Sequence, residues 1–249
     1  MPLPHDHIKP FDQSEKGKKE QVEEMFDRIA GRYDLMNRFL SAGIDTGWRK
    51  KAIKSLQADQ PRVILDVATG TADMAILTCK MLKPEKVIGI DISAQMLDIG
   101  RQKIEKEGLT NQIALLKGDG EAINFPDATF DGIMVAFGVR NFENLEKGLK
   151  ELLRVLKPGG KLVVLEFSKP KNSGFRKIYN LYMGIVAPQM ARWLQQNKEA
   201  YEYLKESSEA FPDREHFINL LNNTGFTSTG YKPLSFGICC IYNGRKSVS

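Results

Sequence analysis

Three loops of small and acidic residues each follow a short apolar run in the sequence, and their composition suits ligand binding. The first, Asp66–Asp73, contains Gly70, which allows a sharp turn and a close approach of the backbone to a ligand. Because it lacks the G-x-G-x-x-G pattern of dinucleotide-binding loops, it suits a ligand without a pyrophosphate. In the next two loops, Asp91 is placed to accept hydrogen bonds from both hydroxyls of a ribose, and Asp119 from an adenine amino group.

The apolar runs and the segments between them predict how these loops are positioned. Five runs begin at Val63, Val87, Ile113, Gly132 and Leu162, with helical patterns over 72–82, 93–108 and 145–156. Ser93 is a good N-cap for the second of these helices, and Pro158-Gly159-Gly160 are expected to stop the third. This alternation is typical of a parallel sheet covered on both faces, with the loops at the carboxyl ends of its strands facing one crevice. Farther on, a helix over 213–223 precedes two strand-like runs, 227–233 and 237–242, which predict an antiparallel pair at the sheet edge.

We therefore expect an α/β fold with a doubly wound, Rossmann-like sheet, mostly parallel with an antiparallel C-terminal strand. The 249 residues would form a single domain with four parts. These are an N-terminal helical lid over 1–60 (with helices over 15–30 and from Trp48 to Leu56), a cofactor-binding core over 61–167, a helical, substrate-covering insertion after strand 5 over 168–210, and a C-terminal helix and strand pair over 211–249. No apolar stretch approaches the roughly 20 residues that span a bilayer.

The N-terminus and the cysteines indicate the compartment. The first ten residues contain three prolines and no apolar core segment, so we expect no secretory signal. The three cysteines show no disulfide framework, which favours a reducing cytosol. We interpret His5-Asp6-His7 as part of a solvated tail, because an ordered metal site needs ligands from elsewhere in the chain. No other Cys or His spacing indicates a metal site.

The formal charge of +5 is concentrated in one segment. Residues 168–198 contain six basic residues and no acidic one, interleaved with bulky apolar side chains. That composition is too aliphatic for a groove that follows nucleic-acid phosphates, so we do not expect a nucleic-acid partner. It suits docking on an anionic membrane surface. The alternative is a cap that covers the substrate and has ordinary basic rims.

Nearly the whole chain carries segments of a recognisable type. They are Phe26–Asn37, Asp66–Asp73, Ile90–Ser93 with Met96-Leu97, Phe125–Asp131, Phe137–Asn141, Leu165–Pro170, Tyr203–Ser207 and Phe211-Pro212. On these segments the chain resembles the class I S-adenosylmethionine-dependent methyltransferases, and more closely the C-methyltransferases of quinone biosynthesis that act on demethylmenaquinol and its ubiquinone-pathway counterpart. The strand-end acids are generic to methyltransferases, whereas Arg140-Asn141 and Glu166–Ser168 are specific to this family.

The resemblance implies S-adenosylmethionine as methyl donor, with no metal, held by Gly70, Thr71, Asp91, Asp119 and Gly120. The chain departs from the family pattern at three places. Gly120 stands where alanine is usual, a change that a backbone contact should tolerate; Ala136 replaces a serine of some members; and Tyr242 stands where the family has a histidine, whose role is therefore absent or taken by the tyrosine.

Methyl transfer to carbon needs an electron-rich ring, which a hydroquinone provides once it loses a phenolic proton. Our candidate catalytic residues are Arg140, Asn141 and Tyr33. We expect Arg140 to favour the phenolate as a fixed cation, since a guanidinium does not act as a base; a structural pair with a nearby carboxylate is the alternative. Asn141 would orient the substrate oxygen, and Tyr33 would close over the ring or pass a proton. Glu166 either takes part in proton removal or caps a neighbouring loop.

The resemblance thus predicts that demethylmenaquinol, a polyprenyl quinol, is the acceptor. The alternatives are the methoxy-benzoquinol of the ubiquinone pathway, alone or in addition, and another small phenolic molecule. Gly70–Asp73 favours menaquinone, because members that serve both pathways commonly carry a second glycine at the position of Ala72. We expect a cytoplasmic protein with peripheral contact at the inner face of the cell membrane through 168–198. A homodimer is left open, because the sequence does not determine the oligomeric state.

Overall fold

Seven strands form one sheet in the part of the chain that the computed structural model describes, which is residues 3–11, 13–40, 43–170 and 198–248. The strands are β1 (Val63–Val67), β2 (Lys86–Asp91), β3 (Ile113–Lys117), β4 (Phe130–Ala136), β5 (Leu156–Phe167), β6 (Thr227–Leu234) and β7 (Cys239–Arg245). Their order is β3-β2-β1-β4-β5-β7-β6. Strands β1 to β5 are parallel, and β7 lies antiparallel between β5 and β6. The predicted fold class is confirmed.

Helices cover both faces of this sheet. They are α1 (Lys18–Leu40), α2 (Asp45–Lys54), α3 (Asp73–Leu82), α4 (Ala94–Lys106), α5 (Leu145–Val155), α6 (Lys198–Ala210) and α7 (Glu215–Thr224). Successive strand residues alternate between two apolar clusters: Ile64 packs with α2, α3 and α4, whereas Leu65 packs with α5 and α7. This is the pattern of strands buried on both sides, which explains why they appear as continuous apolar runs. No helix in the described ranges is long and apolar enough to cross a membrane.

Two elements differ from the sequence-based expectation. Helix α1 does not end near residue 30 but continues to Leu40, so Tyr33 lies on the same helix as Phe26 and their rings meet edge to face at 5.8 Å. Helix α5 ends at Val155 and strand β5 begins at the next residue, so the Pro158-Gly159-Gly160 segment lies inside the strand and not between the two elements. A register shift between Phe130 and Gly132 of the paired strand β4 absorbs the irregularity.

The expectation of a solvated tail at His5 is wrong. Pro4–His7 form a 3-10 turn, and the His5 side chain is fully buried with its ring edge-on to Phe211. The buried ammonium of Lys18 donates a hydrogen bond of 2.7 Å to the carbonyl of His5. Burial and the nearby Lys18 charge lower the pKa of His5 to about 4. The N-terminal turn is therefore packed against the start of α1.

Gly148→Ala tests how tightly the interior of α5 packs. Alanine normally stabilises a helix interior relative to glycine by roughly 0.5–1 kcal/mol. At Gly148, however, a Cβ would overlap the ring of Phe142. We expect this variant to lower the free energy of unfolding by about 1–3 kcal/mol, measured by urea denaturation. The control is Gly31→Ala in α1, where a Cβ has open space and the change should be neutral or stabilising. Equal effects of the two substitutions on the free energy of unfolding would contradict tight packing of Gly148 against the Phe142 ring.

Candidate active site

Two adjoining cavities lie where the loops after the parallel strands meet. The larger is a cleft of about 630 Å³ and the smaller is a cavity of about 310 Å³. Both are lined by Tyr33, Ala68 and Gly70, so one ligand can extend from the first into the second. Asp91, Asp119, Gly120 and Asn141 also line the larger cleft, and Arg49, Asp66, Thr71 and Asp73 line the smaller cavity.

The loop between β1 and α3 is tightly wound. Ala68, Gly70 and Ala72 all have positive φ, between 53° and 66°, a conformation that glycine adopts at least cost. The Thr69 amide donates to the carbonyl of Ile90 at 3.0 Å, and the Thr69 hydroxyl donates to Asp66 Oδ2 at 2.6 Å. These bonds fold the loop back over the ends of β1 and β2, which brings the backbone at Gly70 to the wall of both cavities.

Asp91, at the end of β2, is buried but accepts two backbone hydrogen bonds. The amides of Gly70 and Ser93 donate to its two oxygens at 2.8 and 2.9 Å. Desolvation nevertheless raises the pKa of Asp91 to about 6. Ser93 itself accepts from the Met96 amide at 3.2 Å and caps α4, as predicted. Asp91 is therefore a carboxylate held rigidly at the cleft rather than the cap of this helix.

Asp119 and Gly120, after β3, form the far wall of the larger cleft. One Asp119 oxygen accepts from the Glu121 amide at 2.8 Å, and the other pairs with Lys19 of α1 at 2.6 Å. At Gly120 a Cβ would come within 2.9 Å of both Val67 and the Phe142 ring. Glycine at this position therefore leaves room for the Phe142 ring. The sequence alone, which shows glycine where alanine is usual, did not reveal this packing constraint.

Arg140 lies in a 3-10 turn, Val139–Asn141, directly after β4. It is buried, and its Nη1 donates to Glu166 Oε1 at 2.6 Å and to the Phe137 carbonyl at 2.9 Å. The carboxylate pair that the sequence left open as an alternative role is thus present. Burial raises the pKa of Glu166 although Arg140 acts in the opposite direction. Arg140 lines neither of the two cavities, whereas its neighbours Phe137 and Asn141 line the larger one.

Two phenols lie close to this pair. Tyr33 lines both cavities, and Tyr203 of α6 donates a hydrogen bond of 3.2 Å to Asn141 Oδ1. Burial raises the pKa of both tyrosines, and the charge of Arg140 works against that rise in each case. The structure therefore brings all three candidate catalytic residues into one region. There the positive charge of Arg140 acts through space on the hydroxyls of Tyr33 and Tyr203.

One face of α1 carries a row of charged residues that contact all three loops. The contacts are Lys19 Nζ to Asp119 Oδ2 (2.6 Å), Lys117 Nζ to Glu23 Oε1 (2.7 Å), Ser93 Oγ to Asp27 Oδ1 (2.6 Å) and Thr71 Oγ1 to Asp34 Oδ1 (2.6 Å). Positions one or two helical turns apart share a side of a helix. Helix α1 thus lies across the loops, and the hydroxyl of Thr71 is engaged with it.

Sequence reasoning missed Lys19 and Arg49 at this site. The helical spacing of Lys19 with the acids of α1 was a usable signal, because charges on one helix face need a partner surface. Arg49 had no such signal, since its neighbours in the sequence do not show that it is buried. Tyr242, by contrast, lines neither cavity; it is buried beside Phe217, and its hydroxyl accepts from the Arg214 amide at 2.8 Å.

The fold is that of the S-adenosylmethionine-dependent methyltransferases. A solved methyltransferase of this type from Thermotoga maritima, described as a possible histamine N-methyltransferase, superposes with a TM-score of 0.63 at 22% identity, covering 91% of this chain and 100% of that one. A putative S-adenosyl-L-methionine-dependent methyltransferase from Methanococcus maripaludis superposes with a TM-score of 0.58 at 19% identity, covering 95% and 97%. At these identities the similarity concerns the fold.

The chain belongs to the ubiE/COQ5 methyltransferase family, whose sequence profile matches residues 14–246. It is 47% identical over 247 residues to a demethylmenaquinone methyltransferase of Bacteroides fragilis, covering 99% of this chain and 100% of that one. It is 41% identical over 236 residues to the ubiquinone/menaquinone biosynthesis C-methyltransferase UbiE of Geobacter sulfurreducens, covering 94% and 91%. The chain is an S-adenosylmethionine-dependent methyltransferase, and the resemblance inferred from its motifs is confirmed.

The residues at the two cavities fit this cofactor. A buried carboxylate at the end of β2 provides acceptors for ribose hydroxyls, and Asp119 lies at the other end of the same cleft. The smaller cavity is lined by the cation Arg49 and by the carboxyl groups of Asp66 and Asp73, which suits the charged amino acid end of the molecule. No group of His, Cys, Asp and Glu side chains that could hold a metal ion occurs among the described residues.

Asp34→Ala tests whether the charged row on α1 retains the cofactor. Asp34 accepts from Thr71 Oγ1 and pairs with Lys103 Nζ, both at 2.6 Å. Losing hydrogen bonds to a charged group removes roughly 1.5–3 kcal/mol in partly buried positions, so we expect S-adenosylhomocysteine, the demethylated product, to dissociate about 10- to 100-fold faster. Stopped-flow displacement measures this rate.

The matched control is Glu24→Ala on the same helix. Glu24 also pairs with two cations, including Lys16 at 2.9 Å, but none of them belongs to a ligand loop. We expect this control to leave the dissociation rate within about twofold, because exposed pairs contribute less than about 1 kcal/mol. An equal acceleration in both variants would show that the row does not retain the ligand.

Proposed function

We propose that the chain methylates a ring carbon of demethylmenaquinol, a polyprenyl quinol, and so forms menaquinol. The structural observation that carries this proposal is the buried cation Arg140 beside two phenols and an aromatic wall. In that wall Trp48, Phe137 and Phe167 pack together, and the ring centres of Phe137 and Phe167 are 4.7 Å apart. A quinol ring is itself a phenol that packs on aromatic side chains. The similarity to the demethylmenaquinone methyltransferase of Bacteroides fragilis supports the same substrate.

S-adenosylmethionine, when bound, supplies an activated methyl group, so the protein need not activate a leaving group. The chain's own residues must hold the acceptor ring close to that methyl, at the roughly 3–3.5 Å of a near-attack geometry. They must also favour the phenolate, because loss of the phenolic proton makes the ring carbon electron-rich. In our proposal Gly70, Thr71, Asp91, Asp119 and Gly120 hold the donor.

Arg140 is suited to favour the phenolate without taking the proton. Its charge already opposes the burial-induced rise in the pKa of Tyr33 and Tyr203, and a substrate phenol in the same region would experience the same field. Glu166 holds the guanidinium at a fixed place through its 2.6 Å pair, and the Phe167 amide donates to the same oxygen at 2.8 Å. In a buried site such prearranged charges act more strongly than in water.

Asn141 and Tyr33 are proposed to position the quinol. The Oδ1 atom of Asn141 accepts from Tyr203, which fixes the orientation of the amide, and Asn141 lines the larger cleft. A fixed amide can direct one hydrogen bond at a substrate oxygen. Tyr33 lines both cavities from α1, so it is placed to cover the ring when α1 is docked.

Two other acceptors remain as alternatives. The methoxy-benzoquinol of the ubiquinone pathway is suggested by the UbiE relative of Geobacter sulfurreducens, whose printed name covers both quinones. Another small phenolic molecule would use the same cation and aromatic wall. We favour menaquinone because Ala72 stands where members that serve both pathways commonly have glycine.

Access to a polyprenyl quinol requires contact with the membrane in which it lies. We propose a cytoplasmic protein that docks at the inner face of the cell membrane through the basic segment 168–198. Of that segment, residues 171–197 lie outside the described residues. The support for this part of the proposal is therefore the sequence: six basic and no acidic residues, each basic side chain near an anionic surface adding about 1 kcal/mol.

Transfer of a labelled methyl group tests the substrate. Purified protein is incubated with methyl-labelled S-adenosylmethionine and vesicles that contain either demethylmenaquinol, the ubiquinone-pathway quinol or neither, with total RNA as a separate acceptor. We expect label in menaquinol at the highest kcat/KM. Label in the ubiquinone-pathway quinol alone would replace menaquinone by the first alternative, and label confined to RNA would reject quinol methylation.

The same assay tests membrane docking if the vesicles are either anionic or neutral at equal quinol content. We expect KM for the quinol to fall on anionic vesicles and to rise again with added salt, because salt screens surface charge. Equal KM on both vesicle types would remove the docking proposal and leave quinol methylation untouched.

Arg140→Lys tests the proposed field on the phenolate. Lysine keeps the charge but cannot hold Glu166 and the Phe137 carbonyl from one planar group. We expect kcat to fall by about 10²-fold, as when one preorganised donor is removed from other sites, with the dissociation constant of S-adenosylhomocysteine unchanged. Arg62→Lys is the control, because Arg62 also pairs with a glutamate but at an exposed position. Full activity of the Arg140 variant would contradict a geometric role.

A further inference from the structure

The first residue of α1, Lys18, is fully buried, which is rare for a lysine unless its charge is paired. Its ammonium donates to two main-chain carbonyls, that of His5 at 2.7 Å and that of Arg140 at 3.5 Å. One side chain thus bridges the N-terminal turn and the turn that carries the proposed catalytic cation. Lys18 lines neither of the two cavities, so this bridge is not itself a ligand contact.

Three acidic residues from three segments of the chain surround this ammonium. Asp6 belongs to the N-terminal turn, Glu121 follows β3, and Glu143 follows the turn after β4. All three favour the charged form of Lys18, but burial outweighs them and lowers the pKa of Lys18 to about 8, so the ammonium stays charged at neutral pH. Glu143 Oε1 accepts from the Lys18 amide at 2.8 Å, and Glu121 accepts from the Glu143 amide at 2.7 Å. The chain that follows the catalytic turn is therefore tied to the start of α1.

The His5 end of this bridge is fixed by packing. The ring of His5 meets that of Phe211 edge-on, with the ring centres 6.0 Å apart. Its Nε2 lies 3.3 Å from Asp6 Oδ1, but neither ring nitrogen has a hydrogen-bond partner among the described residues. The position of the carbonyl that accepts from Lys18 thus depends on an aromatic contact and not on the chemistry of the imidazole.

Helix α6 provides a second connection between the same two turns. It ends directly before Phe211, and it packs against both the N-terminal turn and the turn Val139–Asn141. Its buried Tyr203 donates to Asn141 Oδ1 at 3.2 Å. Two routes therefore lead from the N-terminal turn to consecutive residues of the proposed site: one reaches the Arg140 carbonyl and the other reaches the side chain of Asn141.

We propose that the N-terminal turn, Pro4–His7, positions Arg140 and Asn141 for methyl transfer, acting through the ammonium of Lys18 and through α6. The inference rests on the function proposed above, because it concerns residues assigned there to the quinol. The turn precedes residues 14–246, which the family profile matches, so membership of the family does not supply this role. Lys18 and His5 are positioning residues, and a displacement of roughly 1 Å at a catalytic group can cost about 10²-fold in rate.

Lys18→Met removes the bridge and keeps a side chain of similar length. In the labelled-methyl assay with demethylmenaquinol vesicles, we expect kcat to fall by about 10- to 100-fold. The dissociation constant of S-adenosylhomocysteine should stay within about twofold, because the effect is on the transfer step and not on ligand binding. Lys16→Met is the matched control: Lys16 is exposed and pairs with Glu24, so its loss should leave kcat unchanged.

Hydrogen exchange followed by mass spectrometry gives a readout that does not depend on activity. We expect faster exchange of the backbone amides over 138–144 in Lys18→Met, because this segment loses its support from the start of α1. Exchange over 86–91, the strand β2, should not change. A rise of equal size in both segments, or an equal loss of kcat and of S-adenosylhomocysteine affinity, would show general destabilisation and overturn the proposal.

Two variants of His5 provide the same test if Lys18→Met does not fold. His5→Ala removes the ring contact with Phe211 and should lower kcat by about tenfold, with the same selective rise in exchange over 138–144. His5→Phe keeps an aromatic edge at this place and should restore most of the loss. His7→Ala, at an exposed position of the same turn, is the control and should leave kcat unchanged.

The outcomes separate this proposal from the proposed function. Unaltered kcat in His5→Ala, or in a folded Lys18→Met, would overturn the positioning role while quinol methylation stands. If the unaltered protein transfers no methyl group to a quinol, the proposed function fails. The exchange measurement then decides alone: a rise confined to 138–144 supports the positioning of that turn, and its absence overturns it.

Discussion

Three strands of the sheet bury a carboxylate at or next to their carboxyl ends. The hydrogen-bond donors and cations that compensate these negative charges determine the structure around them. Asp91 receives two backbone amides, Glu166 receives Arg140, and Asp66 receives the hydroxyl of Thr69. A carboxylate taken out of water without such partners is very unfavourable. The loops must therefore turn inward over the strand ends, and the positive φ angles between β1 and α3 are the local cost of doing so.

The groups that compensate these charges differ from one strand end to the next. The pair of Arg140 and Glu166 is buried and joined at 2.6 Å, which suits a charge that must stay in place while a substrate changes its own protonation. Both this pair and the residues Asp66 and Arg49 keep one buried polar atom each without a hydrogen-bond partner among the described residues. Neighbouring strand ends thus carry similar residues with different tasks, because the partners around them differ.

Local patterns in the sequence predicted what depends on near neighbours along the chain. The strand-end acids, the cap formed by Ser93 and the alternation of strands and helices all follow from composition within a few residues. Contacts between distant segments did not follow. Lys19 meets Asp119 only because α1 crosses the loops, and His5 is buried only because α1 and Phe211 cover it. The length of α1 was also underestimated, since tertiary packing carries the helix past Gly31.

The place of β7 in the sheet has a consequence for synthesis of the chain. This strand is translated after the other six strands of the described sheet, yet it lies between β5 and β6 and pairs with β5 along its whole length. Until it arrives, β5 is an open edge next to an unfilled core that awaits Cys240 and Tyr242. A nascent or prematurely ended chain that stops before Cys239 therefore exposes an aggregation-prone edge although every proposed cofactor contact has already been translated. Burial of the β5 edge, and with it completion of the sheet, thus depends on a strand that contributes no residue to the proposed site.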